Sequence, residues 1–349
     1  MPESAQSTEA AQPAEATQPA QTSDVLAPEV SARIAENHGH TDVGSDYRQH
    51  SVAAAGGRLT VGIWGPEDPA APTVLAVHGV TASHRSFGLL AQALPGVRVI
   101  APDLRGRGRS NGLPGPYGMP VHADDLAAVL GELAIGPVPV VGHSMGAFVT
   151  LVLAHRHPHL VSCATLVDGG LPLKVPRDLS PDQTVQAVLG PVAQRLTMRF
   201  GTVDEYREFW LQHPALGDSW ARGSSSAALM EDYITYDLEP DGPALRPATR
   251  YEAVAQDTAE LHGGGSLVSA LDGLRVPTQL VWSRRGLLGE EPGLYSPDYI
   301  SGWTDRVPAL AEHLSTEEVP DTDHYSIVMS PPGAVAVAEG VMGQLELPR

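Results

Sequence analysis

A single cysteine, Cys163, occurs in the 349 residues, so no disulfide can form within the chain. It sits in the apolar run VSCATLV, where a small buried thiol is expected rather than a nucleophile. Long hydrophobic runs are also missing: none approaches the ~18 consecutive apolar residues of a bilayer span. The N-terminus has neither a basic stretch nor an apolar core and does not read as a secretory signal peptide, so the expected location is the cytoplasm. Positive charge is scarce, with 22 Lys and Arg against 41 Asp and Glu and a formal net charge of −19. That balance argues against phosphate backbones and anionic lipid surfaces, so neither nucleic acid nor membrane is expected as a partner.

Periodicity is absent from one end of the chain. Residues 1 to about 24 are Ala, Gln, Glu, Ser, Thr and Pro without a repeating apolar face, and such a segment cannot offset its ordering entropy. Residues 28–37 (PEVSARIAEN) read as a short helix with a weak apolar face, so residues 1–45 form a disordered or weakly ordered extension.

From Tyr47 the pattern becomes regular, and an apolar fraction of 42% with 18% charged residues suits a globular protein. RQHSVAAAGGRLTVGIWGP reads as a hairpin turning at Gly56-Gly57. Short apolar strands are expected at 73–78, 97–102, 138–142 and 161–167, with helices near 87–94, 121–133 and 145–157 between them. This alternation predicts a mostly parallel, doubly wound sheet covered by helices on both faces. The rhythm breaks after Asp168: residues 171–262 show helical patterns without buried strands and read as a helical insertion. Strands at 276–282 and 316–319 and helices at 303–313 and 334–345 then restore the rhythm, leaving a core of residues 46–170 and 263–349.

The strongest chemical signal is VVGHSMGAF, residues 140–148. A strand enters Gly142-His143-Ser144-Met145-Gly146 and a helix leaves it, which places Ser144 on a tight strand-to-helix turn at a helix N-terminus. Cβ atoms at Gly142 or Gly146 would collide with the neighbouring strand or helix. Ser144 is the expected nucleophile. Gly106-x-Gly108 with Gly112 has the look of a nucleotide loop, but it follows an inner strand, is rich in arginine and opens no helix, so no cofactor is expected there. The histidines of HRHPH (His155, His157, His159) straddle a helix end without a fourth ligand, and no metal is expected.

With VGHSMG, the turn Val77-His78-Gly79-Val80 and the loop Asp103-Leu104-Arg105-Gly106-Arg107-Gly108-Arg109-Ser110 (the pattern D-x-x-G-x-G-x-S), the chain resembles the α/β-hydrolase superfamily. The resemblance covers roughly residues 47–349 apart from the insertion. It implies an α/β-hydrolase fold in which the insertion, 171–262, is a helical cap. It implies an oxyanion hole made by the amides of Val80 and Met145, with His78 a turn-stabilising residue. It implies a base in the loop after the last strand, where VPDTDHY offers His324. The family most often keeps its acid a few residues beyond the penultimate strand, but LVWSRRGLLGEE (280–291) has Arg284, Arg285 and Gly286 there. A second arrangement in the superfamily, seen in some haloalkane dehalogenases, puts the acid after the sixth strand, which points to Asp168. Glu290 or Glu291 and a weakened dyad remain alternatives, as does an Asp168 that merely orients the entry to the cap.

The insertion, residues 172–262, carries eight rings (Phe200, Tyr206, Phe209, Trp210, Trp220, Tyr233, Tyr236, Tyr251) of the 18 aromatic residues in the chain. A small helical cap needs large side chains for its own core, and some of these rings also suit a pocket facing Ser144. His143, Leu171, Trp210 and Tyr325 are the expected substrate-binding residues. The implied activity is cleavage of an apolar or aromatic carboxylic ester or lactone through an acyl-enzyme. A C–C bond hydrolase of ring-fission products, or a non-catalytic small-molecule receptor on the same scaffold, are the alternatives. A homodimer stays open, and Arg284 and Arg285 have no assigned role.

Overall fold

The structure, a computed structural model, describes residues 46–174, 179–216 and 225–345. The N-terminal extension with its expected helix over 28–37, and Trp220 of the insertion, lie outside these residues.

Strands β1 (Arg48–Ala54) and β2 (Gly57–Trp64) form the hairpin. Then follow β3 (Thr73–Val77), a 3-10 turn at His84–Phe87 leading into α1 (Gly88–Ala93), β4 (Arg98–Pro102), α2 (Met119–Glu132), β5 (Val138–His143), α3 (Met145–Arg156) and β6 (Val161–Val167). After the insertion come α9 (Gly265–Asp272), β9 (Thr278–Trp282), α10 (Pro297–Thr304), α11 (Pro308–His313), β10 (Leu314–Glu318), α12 (Ser326–Met329) and α13 (Pro331–Leu345). The strands lie in the order β1-β2-β4-β3-β5-β6-β9-β10. β1, β2 and β4 pair antiparallel in sequence, and every pairing from β4 through β10 is parallel. The order reverses at β3, so the C-terminal ends of β3, β5, β6 and β9 share one edge, where ligands of such sheets bind.

The inner strands are mostly apolar because both faces are covered. Leu75 and Val77 of β3 enter one core with Leu126, Val129 and Leu130 of α2 and Phe148 of α3; Val74 and Ala76, pointing the other way, meet Phe87, Leu90 and Val337. Helix α3 is buried from Met145 to Ala154, packed against the sheet, α2 and α9. A helix with so few polar positions can only be internal.

Between β6 and α9 the chain forms α4 (Pro181–Leu189), α5 (Pro191–Gln194), α6 (Val203–Leu211), α7 (Ser225–Tyr236) and α8 (Tyr251–Thr258). Helix α4 starts on a capping box in which Ser180 and Gln183 exchange side-chain bonds with each other's amides. The segment is not purely helical, however. A second, two-stranded sheet, β7 (Leu238–Asp241) and β8 (Ala244–Pro247), lies between α7 and α8, turning at Gly242-Pro243. Helix was expected throughout, but a glycine at the first position of a two-residue loop, here Gly242 with φ 62°, suits a tight hairpin turn. The helix expected over 303–313 is divided in two because Pro308 lacks the amide a helix interior needs and instead begins α11. Among the described residues no helix is long and apolar enough to cross a membrane.

Candidate active site

No loop separates β5 from α3: His143 ends the strand, Met145 begins the helix and Ser144 alone makes the turn. Its φ of 54° and ψ of −123° cost a residue with a Cβ about 1–3 kcal/mol, a strain that tight packing on both sides sustains. A Cβ on Gly146 would run into the Val77 carbonyl of β3, and one on Gly142 into the Gly146 carbonyl and Thr150 hydroxyl of α3. Strand, turn and helix can therefore approach this closely only as the sequence has them. Ser144 remains partly exposed at the sheet edge while its neighbours are buried.

The loop after β10 brings His324 to the serine. Its Nε2 lies 3.0 Å from Ser144 Oγ and its Nδ1 2.6 Å from Asp168 Oδ2. Asp168, fully buried, follows β6 with a φ of 43°, and its Oδ1 accepts the Ser283 amide at 3.2 Å. With Nδ1–H donating to the carboxylate, the lone pair of Nε2 is left facing the hydroxyl. The geometry joins Ser144, His324 and Asp168 in one chain of hydrogen bonds, although 156 residues separate the last two.

The loop that lacks an acid takes part in another way. Ser283, at its head, supplies the amide that holds Asp168. Glu290 accepts the Leu288 amide within its own turn, and both Glu290 and Glu291 are exposed. The Gly286 carbonyl accepts the His324 amide at 3.4 Å. Arg285 donates to the carbonyls of Asp321 and Thr322, bracing the histidine loop, while Arg284 points to solvent and pairs with Glu318 at 2.7 Å.

The Gly79-Val80 turn lies against the serine: a Cβ on Gly79 would sit 3.2 Å from Ser144 Cβ and 3.6 Å from its Oγ. His78 shapes this turn, as its Nδ1 donates to the Gly79 carbonyl and its Nε2 accepts the Leu104 amide, both within 2.9 Å. Burial pushes its pKa down to about 4, which keeps the ring neutral and able to serve as donor and acceptor together. Sequence reasoning passed over Arg107. Fully buried, it donates from Nε to the Val80 carbonyl at 2.9 Å and places a terminal nitrogen 3.8 Å from Met145 Sδ. Its charge is met at 2.6 Å by Asp257 of α8, which also pairs with His122 at 3.0 Å. Burial alone would raise Asp257, but His122 and Arg107 outweigh it and hold its pKa down to about 2. The spacing D-x-x-G-x-G-x-S gave no sign of this arginine, because its partner lies 150 residues away.

The four residues expected to touch substrate divide. Tyr325 is half-buried beside His324, with ring centroids 5.6 Å apart, and burial pushes its phenol up to about 12. Trp210 is buried in the insertion against Tyr325, Tyr206, Phe209 and Tyr233. Leu171 is fully buried, its amide and carbonyl both held by the Tyr295 hydroxyl. His143 is buried next to Ser144 and donates from Nε2 to the His324 carbonyl at 2.8 Å. Burial, reinforced by the His324 ring, brings its pKa down to about 3, so it is a neutral brace for the histidine loop.

Residues 72–287 match the model of the alpha/beta hydrolase fold family. Lipase LipV of Mycobacterium tuberculosis is 41% identical over 115 residues, which cover 33% of this chain and 43% of the lipase. The 3-hydroxybutyrate-oligomer hydrolase of Cupriavidus necator is 28% identical over 80% of this chain and 91% of its own length. Apart from that protein, the chain spans less than half the length of the first curated relatives it matches. Among solved structures, that of E-2-(acetamidomethylene)succinate hydrolase superposes with a TM-score of 0.68 at 22% identity, over 86% of this chain and 100% of that one, a likeness of fold alone.

Proposed function

The chain belongs to the α/β-hydrolase family, and on that premise we propose that it is a serine hydrolase cleaving a carboxylic ester or lactone with an apolar or aromatic portion. The observation that carries this reading is the hydrogen-bonded chain Ser144–His324–Asp168. Ser144 Oγ attacks the substrate carbonyl while His324 Nε2 takes the hydroxyl proton. The oxyanion that forms is held by the amides of Val80 and Met145. Collapse of this intermediate breaks the acyl–oxygen bond, and His324 returns the proton to the departing alcohol. A water molecule, deprotonated by the same imidazole, then attacks the acyl-serine and releases the acid. Asp168 keeps the ring in the tautomer this sequence needs and offsets its charge when it becomes imidazolium. The partial likeness to a lipase and the nearly full-length likeness to an oligoester hydrolase support an ester as the scissile group.

A fluorophosphonate probe tests the reading. It should label the wild-type protein and leave Ser144→Ala unlabelled, and p-nitrophenyl esters should be turned over by the wild type alone. An unlabelled wild-type protein that still binds apolar esters would overturn the enzyme reading in favour of a binding protein.

A further inference from the structure

The amide of Val80, which the proposed reaction aims at the oxyanion, belongs to a turn whose successive carbonyls are held by different side chains. His78 Nδ1 donates to the Gly79 carbonyl at 2.8 Å, Arg107 Nε to that of Val80 at 2.9 Å, and Arg195 Nη2 to that of Thr81 at 3.1 Å. His78 and Arg107 follow β3 and β4 and belong to the sheet. Arg195 comes from the insertion, directly after α5, and stands 114 residues along the chain from the carbonyl it meets.

This arginine is fully buried, and two further elements of the insertion converge on it. Its Nη1 contacts both the Tyr206 hydroxyl of α6 and the Asp237 carboxylate that follows α7, and the tyrosine donates to the same carboxylate oxygen. The guanidinium carbon lies 5.0 Å from the centroid of the Trp210 ring, also of α6. A planar guanidinium can serve a carboxylate with one nitrogen and a carbonyl with the other; an ammonium on its single stem cannot span the two. Taking such a pair out of water costs about as much as its attraction returns, so apolar side chains would tie the insertion together equally well. What they could not supply is a directed bond to one carbonyl of the Val80 turn.

The insertion reaches the same segment further along. Asp232 of α7 pairs with Arg85 at 2.6 Å. The Tyr236 hydroxyl, at the end of α7, donates at 2.6 Å to Asp103, whose other oxygen accepts the His84 amide at 2.9 Å. Of these three attachments, the one at Thr81 is nearest in sequence to Val80. We infer that Arg195 is a positioning residue for the reaction: through the Thr81 carbonyl it sets the Val80 amide where the oxyanion forms, so the insertion completes the oxyanion hole as well as covering the sheet.

The inference rests on the ester-hydrolase reading, and the two fail differently. Arg195→Lys keeps a cation beside Asp237 but gives up the bond to Thr81. Its kcat on p-nitrophenyl hexanoate should fall about tenfold or more, with KM within about twofold of wild type, because a donor out of place loses mainly transition-state stabilisation. A trifluoromethyl alkyl ketone separates positioning from a general loosening. Ser144 Oγ adds to its carbonyl carbon, the hydroxyl proton passes to His324, and the ketone oxygen becomes an oxyanion. Its affinity should drop by the same factor as kcat. Calorimetric binding of methyl hexanoate in the Ser144→Ala background should be the same with and without Arg195→Lys. A wild-type kcat, a kcat loss that the ketone does not share, or equal losses on ketone and ester would overturn the inference. If Arg195→Lys does not fold, Arg195→Met/Asp237→Leu removes both charges and enters the same assays. Failure of both variants to fold would make the pair a requirement of the fold and overturn the positioning role. A wild type that neither hydrolyses the ester nor takes up the ketone would instead sink the enzyme reading.

Discussion

Each oxygen of Asp168 has its own donor, His324 Nδ1 on one and the Ser283 amide on the other. The carboxylate is therefore fixed at both ends, and removing its charge disturbs the imidazole more than the fold. Asp168→Asn is expected to lower ester turnover by about 10³–10⁴, since the amide nitrogen favours the wrong tautomer of His324. Glu290→Gln and Glu291→Gln, whose side chains are exposed beyond the loop, should stay within about twofold of wild type. Steady-state kinetics on one p-nitrophenyl ester decides between them, and near-normal Asp168→Asn would return the acid to the loop after β9. At this scale the meeting of three side chains was legible: Ser144 from the glycines around it, His324 and Asp168 from the family resemblance and their places at strand ends. What stayed hidden were the residues acting through others. Nothing local in the sequence tells that His143 serves the His324 carbonyl or that Arg285 braces the same loop.

At the scale of elements, α8 of the insertion does more than cover the sheet. Its Asp257 is buried with Arg107 and His122, and Arg107 in turn holds the carbonyl of Val80. A helix 150 residues downstream thus fixes the turn whose amide is assigned to the oxyanion. Arg107→Met leaves Asp257 with His122 and the Gly118 amide but without its cation, and losing one member of such a buried pair costs about 3–5 kcal/mol. The double variant Arg107→Met/Asp257→Leu removes both charges and should recover most of that stability. Its kcat should nevertheless remain about tenfold or more below wild type with KM little changed, because the Val80 turn has lost its brace. Urea unfolding alongside kinetics separates the two effects; a double variant with restored kcat would reduce the Arg107–Asp257–His122 cluster to a purely structural role. Element boundaries were read well where apolar periodicity was strong, as in β6, and poorly where a single residue decided them. Pro308 divides one expected helix, and Gly242-Pro243 makes a hairpin inside a helical stretch.

The whole molecule combines an acid-rich surface with neutral histidines sealed inside it, and the two respond to pH in different ranges. In an unfolded chain His78 and His143 would titrate near the ordinary value of about 6.5. Folded, burial holds them down to about 4 and about 3. Below pH ~6.5 the unfolded state therefore binds protons that the folded state refuses, and stability must fall as pH falls, by up to about 1.4 kcal/mol per pH unit for each histidine. The ordinary carboxylates enter only below about pH 4. There Asp257, held low by His122 and Arg107, adds to the loss, whereas Asp237 and Glu260, both raised by burial, take up their protons above that range and oppose the histidines. Relief of repulsion among the 41 acidic residues belongs to that lower range as well. Between pH 7 and 5 the buried histidines drive the loss, with Asp237 and Glu260 offsetting part of it, so the urea midpoint should drop over this interval with little change in slope. Replacing His143 by Asn, which keeps a donor toward the His324 carbonyl, should flatten the dependence by roughly one histidine's share. A midpoint that holds level from pH 7 to 5 in the wild type would mean that these rings take up protons without unfolding, against the burial that keeps them neutral.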